Sequence, residues 1–238
     1  MGAGILASLT DLVLPSACAG CGAFGRVLRR AVCPACEAAL RTLTPFATRP
    51  EPAPPGFPPC AALGPYAGVL RTALLDFKER GRRALARPLG VLLGDVVVAS
   101  APGPAVVLVP VPSTPQAIRA RQGDHLGALT GWAAWRLRDA GVHATVARPL
   151  RARSRLDSTE LDAAGRRAEA EAKFGLRAPE AGRLRDTPVP AILLDDIVTT
   201  GATLAVISSR LEAAGVPVTG AAVLAATLRR RPLSLERA

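Results

Sequence analysis

Two adjacent carboxylates, Asp195 and Asp196, close an apolar run and lead into two threonines, a glycine and a further threonine in ILLDDIVTTGAT, residues 192–203. A carboxylate pair at a strand end can accept hydrogen bonds from a sugar diol. It can do so directly or through hydrated Mg²⁺, a cation that prefers oxygen ligands and keeps several waters. Gly201 allows close approach of the backbone, and the threonine hydroxyls with the free amides heading the next helix can wrap a phosphate. The helix dipole favours an anion at the same place.

A second constellation lies near the start of the chain. Cys18, Cys21, Cys33 and Cys36 form C-x₂-C-x₁₁-C-x₂-C, and Cys60 stands apart from them. Two CxxC knuckles at this separation match a tetrahedral four-thiolate Zn²⁺ site, with disulfide or redox chemistry as the alternative. With four protein ligands a metal has no open position, so its role would be structural or in partner binding. Cys60 has no ligand neighbour in sequence and reads as a small buried residue. His125 and His143 lack a local carboxylate partner and read as surface or core residues rather than acid–base groups.

The elements that must position these groups follow from periodicity. VVLVPV, residues 106–111, reads as a strand; Leu126, Leu129, Ala133 and Leu137 mark one face of a helix, and a strand follows at Thr145 and Val146. The order recurs near the other end. A strand over 189–194 precedes a helix marked by Leu204, Ile207, Leu211 and Ala214 and stopped by Gly215, and a strand over 218–224 follows. Two strand–helix–strand units predict an α/β fold with a parallel sheet and ligands at the carboxyl ends of its strands. PFATRPEPAPPGFPP, residues 45–59, reads as an extended linker between a small module and the main domain. The implied division is a cysteine module over 1–44, a linker over 45–60, the main domain over 61–229 and a tail over 230–238. RPLRARSRLDSTEL, residues 148–161, is polar, basic and aperiodic, which suits either a solvated connection or a mobile basic loop over an anionic ligand.

Composition narrows the partners. Lys and Arg number 30 against 19 Asp and Glu, a formal charge of +11, and only Lys78 and Lys173 are lysines. That excess suits nucleic acid, or anionic small molecules combined with a GC-rich coding bias. Aromatics at 3 % are too sparse for regularly interleaved stacking, which argues against sequence-specific reading of bases. The apolar start MGAGILASLTDLVLP lacks a positive n-region and contains Asp11, so it is a poor signal peptide. Apolar runs are interrupted too often for a membrane span, and a cytoplasmic protein is expected.

The run over 192–203 resembles the phosphoribosyl pyrophosphate (PRPP) signature of type I phosphoribosyltransferases. The resemblance implies that Asp195 and Asp196 face the ribose hydroxyls in a catalytic role. It also implies that Val198, Thr199, Thr200, Gly201, Ala202 and Thr203 hold the 5-phosphate, and that pyrophosphate lies at the loop carrying Val111, Pro112 and Ser113. Mg²⁺ would accompany PRPP, and Arg151, Arg153 and Arg155 would belong to a flexible arginine lid. Transferases for 6-oxopurines carry an acid where this chain has Thr199, so purine salvage of that kind is disfavoured. Together LPSACAGCG, AVCPACEAAL, GPYAGVLRTALLDFKERG, VPVPS, RARQGDH and LLDDIVTTGATL resemble the ComF/GntX family over nearly the whole chain. This implies a PRPP-fold protein with structural Zn²⁺, an undefined acceptor, and in some members a link to competence. The partners would then be single-stranded DNA and a competence helicase or recombination mediator. Lys78 and Arg121 are further candidates for the pocket. Family members commonly carry Arg-Gly-aromatic-Asn where this chain has Arg121-Gln122-Gly123-Asp124, and Glu169 stands where Asn often follows Arg166, so the acceptor side departs from the pattern.

Overall fold

The computed structural model describes residues 17–100, 103–152, 173–187 and 189–227. Its centre is a six-stranded sheet in the order β1-β2-β8-β7-β3-β4, built from Phe46–Thr48, Cys60–Pro65, Val218–Ala226, Ala191–Val198, Ala105–Pro110 and His143–Val146. Every neighbouring pair is parallel except β1 on β2, which is antiparallel at the edge. A separate two-stranded ribbon pairs β5 (Leu150–Ala152) with β6 (Phe174–Leu176).

The helices are α1 (Pro34–Arg41), α2 (Gly68–Glu79), α3 (Ala86–Ser100), α4 (Pro115–Ala120), α5 (His125–Asp139), α6 (Ala178–Arg185) and α7 (Ala202–Ala213). Strand pleating sends alternate side chains to opposite faces of the sheet. Ile192 and Leu194 of β7 meet Leu74, Leu89, Leu129 and Leu137 from α2, α3 and α5. Ala191 and Leu193 meet Leu204, Ile207 and Leu211 of α7, with Leu150 and Phe174 of the ribbon in the same layer. A strand buried on both faces must be apolar throughout, which is why AVVLVP and AILL carry no alternation.

Both predicted strand–helix–strand units are present, as β3-α5-β4 and β7-α7-β8. From the adjoining pair β3 and β7 the chain moves outward in opposite directions, to β4 on one side and to β8 on the other. That adjacency is a topological switch point, where the loops leaving the carboxyl ends diverge and open a crevice.

The linker reading is corrected. Phe46, Ala47 and Thr48 pair with Ala62, Ala61 and Cys60, and Phe57 is 7 % exposed within the core. Proline bars a segment from a central strand but not from an edge, and here the apolar Phe46 and Phe57 are drawn onto the sheet layer. The cysteine module is likewise no separate body. Cys18, Val32, Cys33, Cys36 and Leu40 bury into the same cluster as Leu63, Leu70 and Leu74. Arg82 reaches both the Asp76 carboxylate, at 3.5 Å, and the carbonyl of Ala17, joining the module to the end of α2. Among the described residues, no helix is long and apolar enough to cross a membrane.

Candidate functional site

The switch point brings together the two loops singled out from the sequence. The Val111 amide donates to the Leu194 carbonyl at 2.9 Å, so the loop carrying Val111, Pro112 and Ser113 leaves β3 directly beside the carboxylate pair of β7. Thr114 then caps α4, its hydroxyl accepting from the Ala117 amide at 3.1 Å.

Asp195 and Asp196 lie on opposite faces of β7. Asp196 shares the side of Ile192 and Leu194, and its Oδ2 is 2.6 Å from Nζ of Lys78 in the last turn of α2, with both side chains mostly withdrawn from water. Asp195 shares the side of Leu193 and is in register with Val223; its Oδ1 accepts from the Asp196 amide at 2.9 Å. Burial, reinforced by the charge of Asp196, pushes the Asp195 carboxyl up to about 8. The same neighbourhood holds Cys60, whose thiol is raised to about 12 by burial and then by the charge of Asp195. Cys60 is buried, as its reading as a small buried residue has it.

Beyond the carboxylates, β7 ends at Val198 and the chain turns through exposed Thr199 and Thr200 to buried Gly201, the N-cap of α7. Gly201 has a φ of +74°, in the left-handed region that favours glycine. Thr227 secures the turn, its amide donating to the Val198 carbonyl at 3.0 Å and its hydroxyl reaching the Val198 carbonyl at 3.4 Å. The turn thus stays close to β8 while leaving the first amides of α7 without intrahelical partners, as helix geometry requires.

Around Lys78 stands a group that the sequence did not connect. Arg121 lies 3.6 Å from Glu79 of α2, and Arg83 donates to the Gln122 carbonyl. His125, in the first turn of α5, sets its ring 4.9 Å from that of Phe77, edge to face. Its Nδ1 is buried without a hydrogen-bond partner among the described residues. Burial, followed by the charge of Arg121, lowers its pKa below the ordinary histidine value. Asp124 caps α5 through the Gly127 amide at 2.9 Å and binds Arg148 at 2.7 Å. Glu79 and Phe77 lie in the 64–81 run and Arg148 opens the 148–161 run, and only the fold brings them together with Arg121, Asp124 and His125.

Arg151 belongs to β5, exposed and in register with Gly175. This places it in a paired strand rather than in the flexible loop expected for it. Arg153, Arg155, Arg166 and Glu169 lie outside the described residues. His143 begins β4 and is exposed, as expected of a surface residue.

The four cysteines converge. Their Sγ atoms all lie within 4.8 Å of one another. A tetrahedron with Zn–S bonds of about 2.3 Å has sulfur separations near 3.8 Å, so the cluster could hold a zinc ion. The Cys18 sulfur accepts from the amides of Cys33 at 3.2 Å and Gly20 at 3.4 Å. Burial works to raise the Cys18 thiol, but the amides of Cys21, Cys33 and Gly20 outweigh it and bring it down to about 6, whereas burial and the neighbouring cysteine sulfurs push the Cys36 thiol up. Gly20 is needed by space: a Cβ there would sit 2.7 Å from Cys36 Sγ and 2.8 Å from Cγ1 of Val69 in α2.

Comparison with protein-family models and with curated proteins found no match to this chain.

Proposed function

We propose that the crevice at the carboxyl ends of β3 and β7 binds PRPP with Mg²⁺ and that the protein transfers the phosphoribosyl group to an acceptor. The observation that carries this reading is the convergence at one switch point of an Asp-Asp strand end, a glycine-headed helix and the loop after β3. Open α/β sheets bind ligands at such points, and helix heads bind phosphate. The type I phosphoribosyltransferase fold and membership of the ComF/GntX family are part of this proposal.

In this reading the amides and hydroxyls from Thr199 to Thr203 take the 5-phosphate. Asp195 and Asp196 flank the ribose from the two faces of β7, and the Val111–Ser113 backbone approaches the pyrophosphate. The carboxylate oxygens suit a hard cation. Mg²⁺, when bound, would neutralise charge on the departing pyrophosphate. Lys78 supplies a positive charge beside Asp196, and the apolar floor of β3 and β7 limits water at the reacting carbon. The four-cysteine cluster, with all ligand positions filled by protein, is assigned to structural Zn²⁺.

Calorimetric titration with PRPP and Mg²⁺ tests the binding step. Wild type should bind, and the double variant Asp195→Asn with Asp196→Asn should not; absence of binding by wild type overturns the reading. Release of pyrophosphate across a panel of bases and nucleotides then decides on transfer.

One observation favours a second reading, a PRPP-responsive protein that handles single-stranded DNA without turnover. In the loop between the cysteine knuckles Phe24 is 69 % and Val27 is 79 % exposed, beside exposed Arg26, Arg29 and Arg30. Aromatic and cationic groups together suit bases and their phosphates. A gel-shift titration against salt separates the two readings, since phosphate contacts weaken steeply as salt rises.

A further inference from the structure

Gly201 is enclosed by residues far from it in sequence. A Cβ at this position would lie 2.6 Å from Cε2 and 2.7 Å from Cδ2 of Phe57, and 3.0 Å from Cγ of Pro50. Phe57 is itself buried in the layer that contains Val198, Leu204 and Ala205, the residues bracketing Gly201 along the chain. One residue earlier, a Cβ on Gly56 would collide with Oγ of Ser209, two turns further along α7. The segment from Pro50 to Phe57 therefore contacts α7 both at its head and at Ser209, and it is held at its two ends by β1 and β2.

Glycine populates positive and negative φ about equally, so an unsupported glycine at a helix head leaves the preceding turn free to sample several directions. A buried aromatic ring pressed against its Cα removes that freedom. Thr199, Thr200 and Ala202 on either side remain exposed while Gly201 is covered, so the ring lies against the turn at Gly201 and leaves its neighbours accessible.

We propose that Phe57, backed by Pro50, is a positioning residue for the anion loop: its ring holds Gly201 in the left-handed conformation and so aims the amides of 199–203 at the ligand phosphate. This rests on the reading of that loop as the 5-phosphate site. The Pro-rich segment is, on this view, a buttress of the site. Any side chain at position 201 is excluded twice, by backbone strain and by the ring.

The test combines ligand binding with amide hydrogen exchange on the full chain. Phe57→Ala should weaken PRPP–Mg²⁺ binding about tenfold and speed exchange of the amides from Thr199 to Ala205 by a similar factor, leaving those of β3 and β8 unchanged. Phe57→Tyr, which keeps the ring, should restore both. In melting experiments Gly201→Ala should cost less in the Phe57→Ala background than in wild type, because the collision is relieved and only the strain remains. Unchanged loop exchange with additive melting shifts overturns the proposal. Should Phe57→Ala fail to fold, Phe57→Leu is read by the same criteria. If wild type takes up no PRPP, the functional reading falls, while exchange and the double-variant cycle still decide whether Phe57 sets the loop.

Discussion

The Lys78 ammonium lies 2.6 Å from Oδ2 of Asp196, joining the last turn of α2 to the carboxyl end of β7. The pair spans two elements that are far apart in sequence, and it gives one member of the acidic couple a cation while the other has none among the described residues.

Lys78→Met strands the Asp196 carboxylate in a mostly enclosed position, at a cost on the order of 1–3 kcal/mol. In a chain of this size each kcal/mol lowers Tm by about 2–4 °C. Calorimetric melting should show that drop and PRPP affinity should fall with it, with Lys78→Arg recovering part of both. Melting at the wild-type temperature would show that the pair is a solvated contact.

Asp195 sets a pH dependence of the unliganded fold. Its folded-state pKa is raised, so between the ordinary carboxyl value of 3.8 and about 8 the folded protein holds a proton that the unfolded chain has released. Stability therefore falls as pH rises through that window. Asp195→Asn should flatten this slope and raise Tm at pH 8 while weakening PRPP binding. Denaturant melts of both proteins from pH 5 to 8 measure the difference.

His125 acts with the opposite slope. Its folded pKa lies below the ordinary 6.5, so the unfolded chain takes up a proton that the half-buried ring declines, and stability is lost as pH falls below that value. His125→Phe, which keeps the edge contact to Phe77, should lose less stability than wild type between pH 7 and pH 5 in urea melts.

On the structural-zinc assignment proposed above, metal removal should be felt beyond the cysteines. Because Cys33 and Cys36 share a core with Leu70 and Leu74 of α2, a chelator should lower Tm by about 10 °C or more in one cooperative transition. Cys18→Ser should reproduce the shift and reduce bound zinc, measured by elemental analysis, from one equivalent per chain. Two separate transitions would indicate that the module melts alone.

The parts legible in the sequence are those whose signal is local. The runs around Val107 and Leu193 are apolar because both sheet faces are covered, and the Leu126, Leu129, Ala133, Leu137 stripe repeats at the helical period; both survive into the structure with small shifts of boundary. The cysteine cluster was legible because ligand spacing within each knuckle is fixed by a tight turn. The role of residues 45–59 was hidden because proline reports only what a segment cannot do. Phe46 reaches the sheet through the pairing of residues 46–48 with Cys60 to Ala62, a register that no periodicity in the segment encodes, and Phe57 packs onto the same layer from outside any strand. The neighbourhood of Glu79, Phe77, His125 and Arg148 was hidden for a related reason, since its members come from separate elements and meet only after the sheet has set the spacing of α2 and α5.

The placement of Asp195 and Asp196 on opposite faces of one strand has a consequence for how this site tolerates change. Neighbours in sequence, they belong to different mutational neighbourhoods: substitutions in α2 are felt at Asp196 through Lys78, and substitutions around Cys60 in β2 are felt at Asp195. The dipeptide is a seam between two layers, and because the charge of Asp196 raises Asp195, a change in either layer is passed across the seam to the other half of the pair.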